Sequence, residues 1–217
     1  QGDPPVPRRA FAALVFVLSA GVVVAGCGGG SGPGKAPDAA GKPGSPSPSP
    51  AAPSPSGVER PEITLPSSFR ITFRDWTSED PAEQAVLNDG REELRSGYEA
   101  ITLGDPDSEN LAFYTTEEGM PQAQEWIRSY TDKNVTVVGD LPVHDPEVRL
   151  AANGRNAVLN YCTDESEAAT RHLKTGEVQG NPPGMHPEVF YAVSMTKNEQ
   201  GVWQTLSVNS ERGGCPD

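Results

Sequence analysis

Basic residues are scarce in this chain. Lys and Arg number 17 against 30 Asp and Glu, for a formal net charge of −13 at pH 7. From Glu62 onward the counts are 12 and 27, a net −15. No basic stripe survives that balance, so nucleic acid is excluded as a partner, as is docking of this acidic portion on anionic head groups. Histidine is nearly absent, with three in 217 residues. His144 precedes Asp145-Pro146, His186 precedes Pro187, and His172 lies in a polar stretch. None has the orienting partner of a catalytic imidazole or converging metal ligands at ligand spacing, and all three read as exposed loop residues. No phosphate-binding glycine loop, Gly-x-Ser-x-Gly or zinc-protease helix occurs, so neither a cofactor nor a metal is expected. No apolar run reaches the roughly 20 residues of a membrane-spanning helix.

Cysteine is scarce as well, and its three positions organise the chain. Cys27 closes Val24-Ala25-Gly26-Cys27, which resembles the bacterial lipobox. Upstream lie Arg8 and Arg9, then a 15-residue apolar stretch from Ala10 to Val24. A short positive segment, a short apolar segment and small residues before the cut make an export signal. Arg8-Arg9-Ala10-Phe11 also matches the core of a twin-arginine signal. Residues 1–26 are therefore expected to be a lipoprotein signal, with a lipid on the Cys27 thiol anchoring the mature chain to the outer face of a cell membrane. The partner implied is the membrane itself. Cys162 and Cys215 are left as a pair, and two cysteines in an exported domain most simply form one disulfide. A metal site is the alternative, but neither has a second Cys or His at ligand spacing.

Residues 27–61 are dominated by Gly, Pro, Ser and Ala, as in Pro43-Gly44-Ser45-Pro46. No apolar set here can offset chain entropy, so a disordered linker is expected. At about 3.3 Å per residue it reaches on the order of 110 Å at full stretch. Residues 62–217 then form one domain, long enough for an adequate core.

Phe69, Ile71 and Phe73 alternate with polar residues, so Ser68 to Trp76 reads as a strand. Asp80 as cap, Pro81 at the first helical position and Glu83 three residues after the cap announce a helix. Leu87, Leu94, Tyr98 and Ile101 follow at helical spacing, and Gly104 stops it. Gly90 and Gly97 cost helix propensity but allow close packing against a neighbour. Leu111 to Tyr114 reads as one helical turn, and Pro121 to Thr131 as a further helix. The period then changes. Val135 to Val138 is strand-like. Glu147 to Ala152 and Asn156 to Thr163 flank the hairpin signal Asn153-Gly154. Asp164 to His186 is a polar connection. Glu188 to Lys197 and Val202 to Ser210 form a second hairpin. Helices first and antiparallel strands after is an α+β order.

That order resembles the nuclear transport factor 2-like cone, in which helices cup a curved antiparallel sheet. The chain is more closely similar to a family of small exported lipoproteins of high-GC Gram-positive bacteria. The words that carry this are the lipobox at Cys27, Leu103-Gly104-Asp105-Pro106, Val135-Thr136-Val137-Val138-Gly139, Tyr161-Cys162-Thr163-Asp164, Lys174-Thr175-Gly176-Glu177, Gly201-Val202-Trp203-Gln204 and the terminal Cys215. The resemblance implies a fold and a location, since such lipoproteins generally have no assigned activity.

Cone folds include ketosteroid isomerases, dehydratases and polyketide cyclases as well as binding modules, so the fold leaves the chemistry open. An enzyme of this kind needs a buried carboxylate base and a donor for developing oxyanion charge. Tyr114, Trp126, Tyr130, Tyr161 and Tyr191 are the aromatic residues expected to line a pocket. Asp164 is the one acid close in sequence to the sheet tyrosines, and it reads as a strand-end acid capping its own turn. The expectation is therefore a binding or accessory domain for a small apolar ligand or an envelope protein, with no catalytic residue. The alternative is an isomerase- or dehydratase-type enzyme acting on a small apolar substrate.

Overall fold

The computed structural model describes residues 57–216. The signal, the lipobox and most of the linker lie outside them. The first strand, β1 (Phe69–Phe73), leads to the long helix α1 (Pro81–Leu103). At the start of α1 the Asp80 side chain accepts from the Ala82 amide at 2.7 Å, and Pro81 takes the first position, where no amide donor is needed. Glu83 does not reach back to Asp80, as the sequence suggests. It accepts instead from the Ser78 hydroxyl at 2.7 Å, and that hydroxyl accepts from the Asp80 amide at 3.1 Å, so serine relays the box. Gly104 ends the helix in the left-handed conformation, with φ 71°. Two shorter helices follow, α2 (Glu109–Tyr114) and α3 (Met120–Thr131).

The rest is sheet: β2 (Val135–Leu150), β3 (Asn156–Asp164), β4 (Ala168–His172), β5 (Val178–Gln179), β6 (Glu188–Lys197) and β7 (Trp203–Arg212). The strand order is β5-β4-β2-β3-β6-β7, with β1 paired to β2. All pairings are antiparallel except that of β1 with β2, which is parallel. Register slips between His144 and Glu147 and between Ser194 and Met195 bend the sheet. The helices pack into its hollow, giving the α+β cone. Val86, Leu87, Leu94 and Ile101 of α1 are buried with Leu141, Val143, Leu159, Val193 and Met195 of the sheet. Each such side chain contributes roughly 1.5–3 kcal/mol by leaving water.

The strand reading needs three corrections. Val135–Val138 and Glu147–Ala152 are parts of one 16-residue strand, β2. Pro142 and Pro146 hid this, because proline has no ladder donor. Pro146 is tolerated because it sits in the bulge, where β3 is unpaired. His144 therefore belongs to a strand, not a loop. It is mostly covered, with Nδ1 2.9 Å from Asp145 and Nε2 3.5 Å from Glu188. The polar connection contains β4 and β5, and His172 ends β4 with Nδ1 accepting from the Lys174 and Thr175 amides. Every residue of β4 is half-buried, so no alternation of apolar and polar residues marks it. His186 is in a loop, where its Nδ1 accepts from the Glu188 amide.

Contacts to the domain core begin before residue 62. Arg60 donates twice to Asp89 of α1, at 2.6 and 3.1 Å, and Val58 packs against Ile63, Tyr114 and Val202. Asp89 is 1% exposed and also accepts from the Trp203 amide at 2.9 Å, so one carboxylate ties this strap and β7 to the helix. At the other end, Cys162 and Cys215 are bonded, with Cα atoms 6.0 Å apart. That bond fastens the C-terminal tail under β3. Among the described residues no helix is long and apolar enough to cross a membrane.

Candidate functional site

Helical spacing places Glu93, Leu94, Gly97 and Tyr98 of α1 on one stripe, which faces the hollow of the sheet. Between that stripe, α3 and strands β3, β6 and β7 lies a cavity of about 260 Å³. Trp126 of α3 forms one wall, and Tyr161 of β3 and Tyr191 of β6 form another. The two tyrosine rings are stacked at 5.1 Å, as cross-strand register demands, since Tyr161 lies directly opposite Tyr191. Trp126 meets Tyr98 edge-on at 5.2 Å. Gly97 is what lets the indole in: a Cβ there would lie 2.7 Å from Trp126 Cζ3. Gly97→Ala should therefore lower stability by about 1 kcal/mol, because overpacking of about 2 kcal/mol outweighs a helix-propensity gain of about 1 kcal/mol. Urea unfolding checks this, and a more stable variant would show that the indole has room to move.

The polar lining is unusual. Thr115, Thr163 and Thr205 are 3%, 1% and 3% exposed, and none of their hydroxyls has a hydrogen-bond partner. Buried hydroxyls without partners cost about 1–3 kcal/mol each, so a site that keeps three together is shaped for something else to satisfy them. Among them sits Glu93. By exposed surface its side chain is only partly buried, open toward the cavity, while protein atoms crowd the carboxyl. Burial pushes that carboxyl up from 4.5 to about 7, and only the nearby Thr205 hydroxyl pulls it down. The Thr205 contact falls short of a full hydrogen bond. Tyr161 is raised well above its ordinary value, by burial first and then by the neighbouring Glu93 charge.

The sequence reading placed no acid here, and Glu93 is the residue it missed. Glu93 sits between Glu92 and Leu94 in a run that reads as a solvated helical face. The apolar stripe of α1 was legible, but not that Glu93 borders it on the side where the sheet curls away. Of the expected lining residues, Trp126, Tyr161 and Tyr191 meet in this cavity. Tyr130 lines a smaller recess of about 170 Å³ on the other side of Tyr98, with Glu165 at its edge. Tyr114 belongs to neither cavity. It is fully buried against Ile63 and Val202, because α2 turns that face toward the N-terminal strap, and burial raises its hydroxyl to about 12.

Asp164 is the strand-end acid the sequence suggests. It accepts from the Ser166 amide at 2.9 Å. Burial pushes its carboxyl up, but the two Ser166 hydrogen bonds, His144 and Arg74 outweigh that and hold it below the ordinary value. Asp164→Asn should cost about 1 kcal/mol through weakened turn bonds and leave the cavity untouched. Chemical denaturation measures the first, and unchanged Trp126 and Tyr191 resonances the second. Among the described residues no group of three His, Cys, Asp or Glu side chains converges as a metal site would require.

No family model matches the chain, and no curated protein does either. Solved structures do show similarity. A ketosteroid isomerase-like protein from Erwinia carotovora atroseptica is 14% identical, with a TM-score of 0.42 over 61% of this chain and 95% of that one. ActVI-ORFA from Streptomyces coelicolor is 9% identical, with a TM-score of 0.42 over 61% and 98%. Aln2 from a Streptomyces species is 11% identical, with a TM-score of 0.43 over 59% and 90%. At such identities and scores no activity passes from these proteins to this chain.

Proposed function

We propose that this domain holds a small, largely apolar ligand in its cone cavity, with the Glu93 carboxyl as polar anchor, and that a lipid on Cys27 carries it on the outer face of a membrane. The observation behind the ligand site is the unpaired carboxyl set among three unsatisfied hydroxyls and four aromatic rings, in a cavity of about 260 Å³. Mostly apolar walls with a few converging polar groups are how small-molecule sites are built. A titration with small aromatic probes, followed through the Trp126 indole resonance, tests it. Saturable shifts confined to Trp126, Tyr161, Tyr191 and Thr205 support the reading, and shifts spread over the surface overturn it. The anchor rests on the lipobox spacing and on the resemblance to the exported lipoproteins of high-GC Gram-positive bacteria. A disulfide in the same chain fits an oxidising compartment. Cys27→Ala should move the protein from the membrane pellet to the soluble fraction, and a variant that still resists washing would reject lipid anchoring at that residue.

A second reading is favoured by one observation: an acid pushed up to about 7 shares the cavity with a tyrosine whose hydroxyl its charge raises. That pairing suits an isomerase. The Glu93 carboxylate would take the α-proton of a ketone, the Tyr161 hydroxyl would donate to the enolate oxygen, and the carboxyl would return the proton to carbon. Incubating the domain with a small cyclic ketone in heavy water separates the two. Background deuterium uptake fits a binding domain. Uptake that is accelerated by the domain and lost in Glu93→Gln would install the enzyme.

A further inference from the structure

We infer that the ligand of the cone cavity is a small organic cation, an aromatic or aliphatic ammonium, rather than a neutral or acidic molecule. The inference rests on the reading that the cavity takes a ligand at all, and adds its charge.

The lining contains a carboxyl and no counter-ion. Burial and the Thr205 hydroxyl are the influences on Glu93, and no Lys, Arg or His is among them. Elsewhere the buried carboxylates are matched. Asp89 has the Arg60 guanidinium at 2.6 Å, and Glu99 accepts from the Thr64 amide and the Asn110 side-chain amide at 2.6 Å each, whereas no donor of either kind reaches Glu93. A buried carboxylate without a cation is costly, and the cost disappears when a cation arrives. A neutral ligand would leave that charge stranded, and an anion would add a second one beside it.

The walls fit the same ligand. Tyr161 and Tyr191 offer a stacked pair, and Trp126 and Tyr98 close the opposite side. Aromatic faces around a carboxylate attract an ammonium through their quadrupoles. The Thr115, Thr163 and Thr205 hydroxyls, unpartnered and almost fully buried, supply the acceptors that ammonium N–H groups need. Access is biased in the same direction, since the chain from Glu62 onward carries a net −15.

Benzylammonium, benzyl alcohol and benzoate share one ring and differ in charge, so they serve as probes. Near neutral pH, chemical-shift titration of the full domain should rank benzylammonium at least about tenfold tighter than benzyl alcohol, as a desolvated charge-assisted contact provides, with benzoate weakest. In Glu93→Gln the first two should come within about twofold of each other, set by the shared ring alone. If benzyl alcohol binds as tightly as benzylammonium in the unaltered domain, or if the preference survives Glu93→Gln, the cation assignment falls while the ligand site stands. If none of the three shifts the cavity residues, the site and its cation fall together. Should Glu93→Gln not fold, the ranking in the unaltered domain decides alone, with Thr205→Val, which keeps shape and removes an acceptor, as the second variant.

Discussion

Glu93→Gln should make the domain more stable above neutral pH by about 3 kcal/mol, and change it little at about pH 4. In the unfolded chain the carboxyl titrates near 4.5, and in the folded domain near 7. Between those values the folded state holds a proton that the unfolded state has released. Stability therefore falls as pH rises through that window, and above it the full cost of the buried charge applies. Gln keeps the shape and carries no charge, so it removes the cost without leaving a void. Urea unfolding of both proteins at several pH values measures the difference directly. Equal stability at all pH values would mean that water reaches the carboxyl freely. A destabilised variant at high pH would mean that Glu93 is paired after all.

Breaking the Cys162–Cys215 bond should be the most damaging change in the domain. The bond closes a span of 53 residues, and on the chain-entropy account its loss costs about 4 kcal/mol. For a domain of this size that is a drop of about 10 °C in Tm. Local consequences follow from what the tail carries. Arg212 donates to Glu165 at 2.6 Å and to the His186 carbonyl at 2.8 Å, and Gly213 donates to the Glu188 carbonyl at 2.8 Å. These contacts hold the loop that follows β5 against the sheet, beside the recess edged by Glu165. Cys162→Ser with Cys215→Ser should lower the urea midpoint and loosen residues 180–187 first, which amide exchange resolves. An unchanged midpoint would show that strand pairing alone holds the tail.

Much of this fold was legible because its signals are local. Asp80, Pro81 and Gly104 bound α1 through capping chemistry, and Asn153-Gly154 announced the turn between β2 and β3. Gly90 and Gly97 anticipated close packing, and the structure sets Leu159 and Trp126 against them. What escaped depends on partners distant in sequence. β4 exists because Val135–Gly139 pairs with it, and its own residues show no periodicity. The parallel pairing of β1 depends on its return alongside Gly139–Val143, across α1, α2 and α3. The site followed the same rule. Tyr161, Tyr191 and Trp126 were expected from their elements. Glu93 was not, because a glutamate on a helix rich in Glu reads as solvent-facing until the sheet that curls over it is known. Asp164 drew attention by sequence proximity to the tyrosines, yet the curvature of the sheet sets it at the rim.

Ligand binding in the cone turns most directly on the state of the Glu93 carboxyl, and a carbon-13 titration of that group, assigned by its disappearance in Glu93→Gln, measures it. A midpoint near 7 is the predicted result, with Thr205 and Tyr161 resonances moving in step as the charge appears beside them. A midpoint near the ordinary 4.5, with those neighbours unmoved, would show a solvated surface acid and leave the cone without the unpaired group on which ligand binding rests.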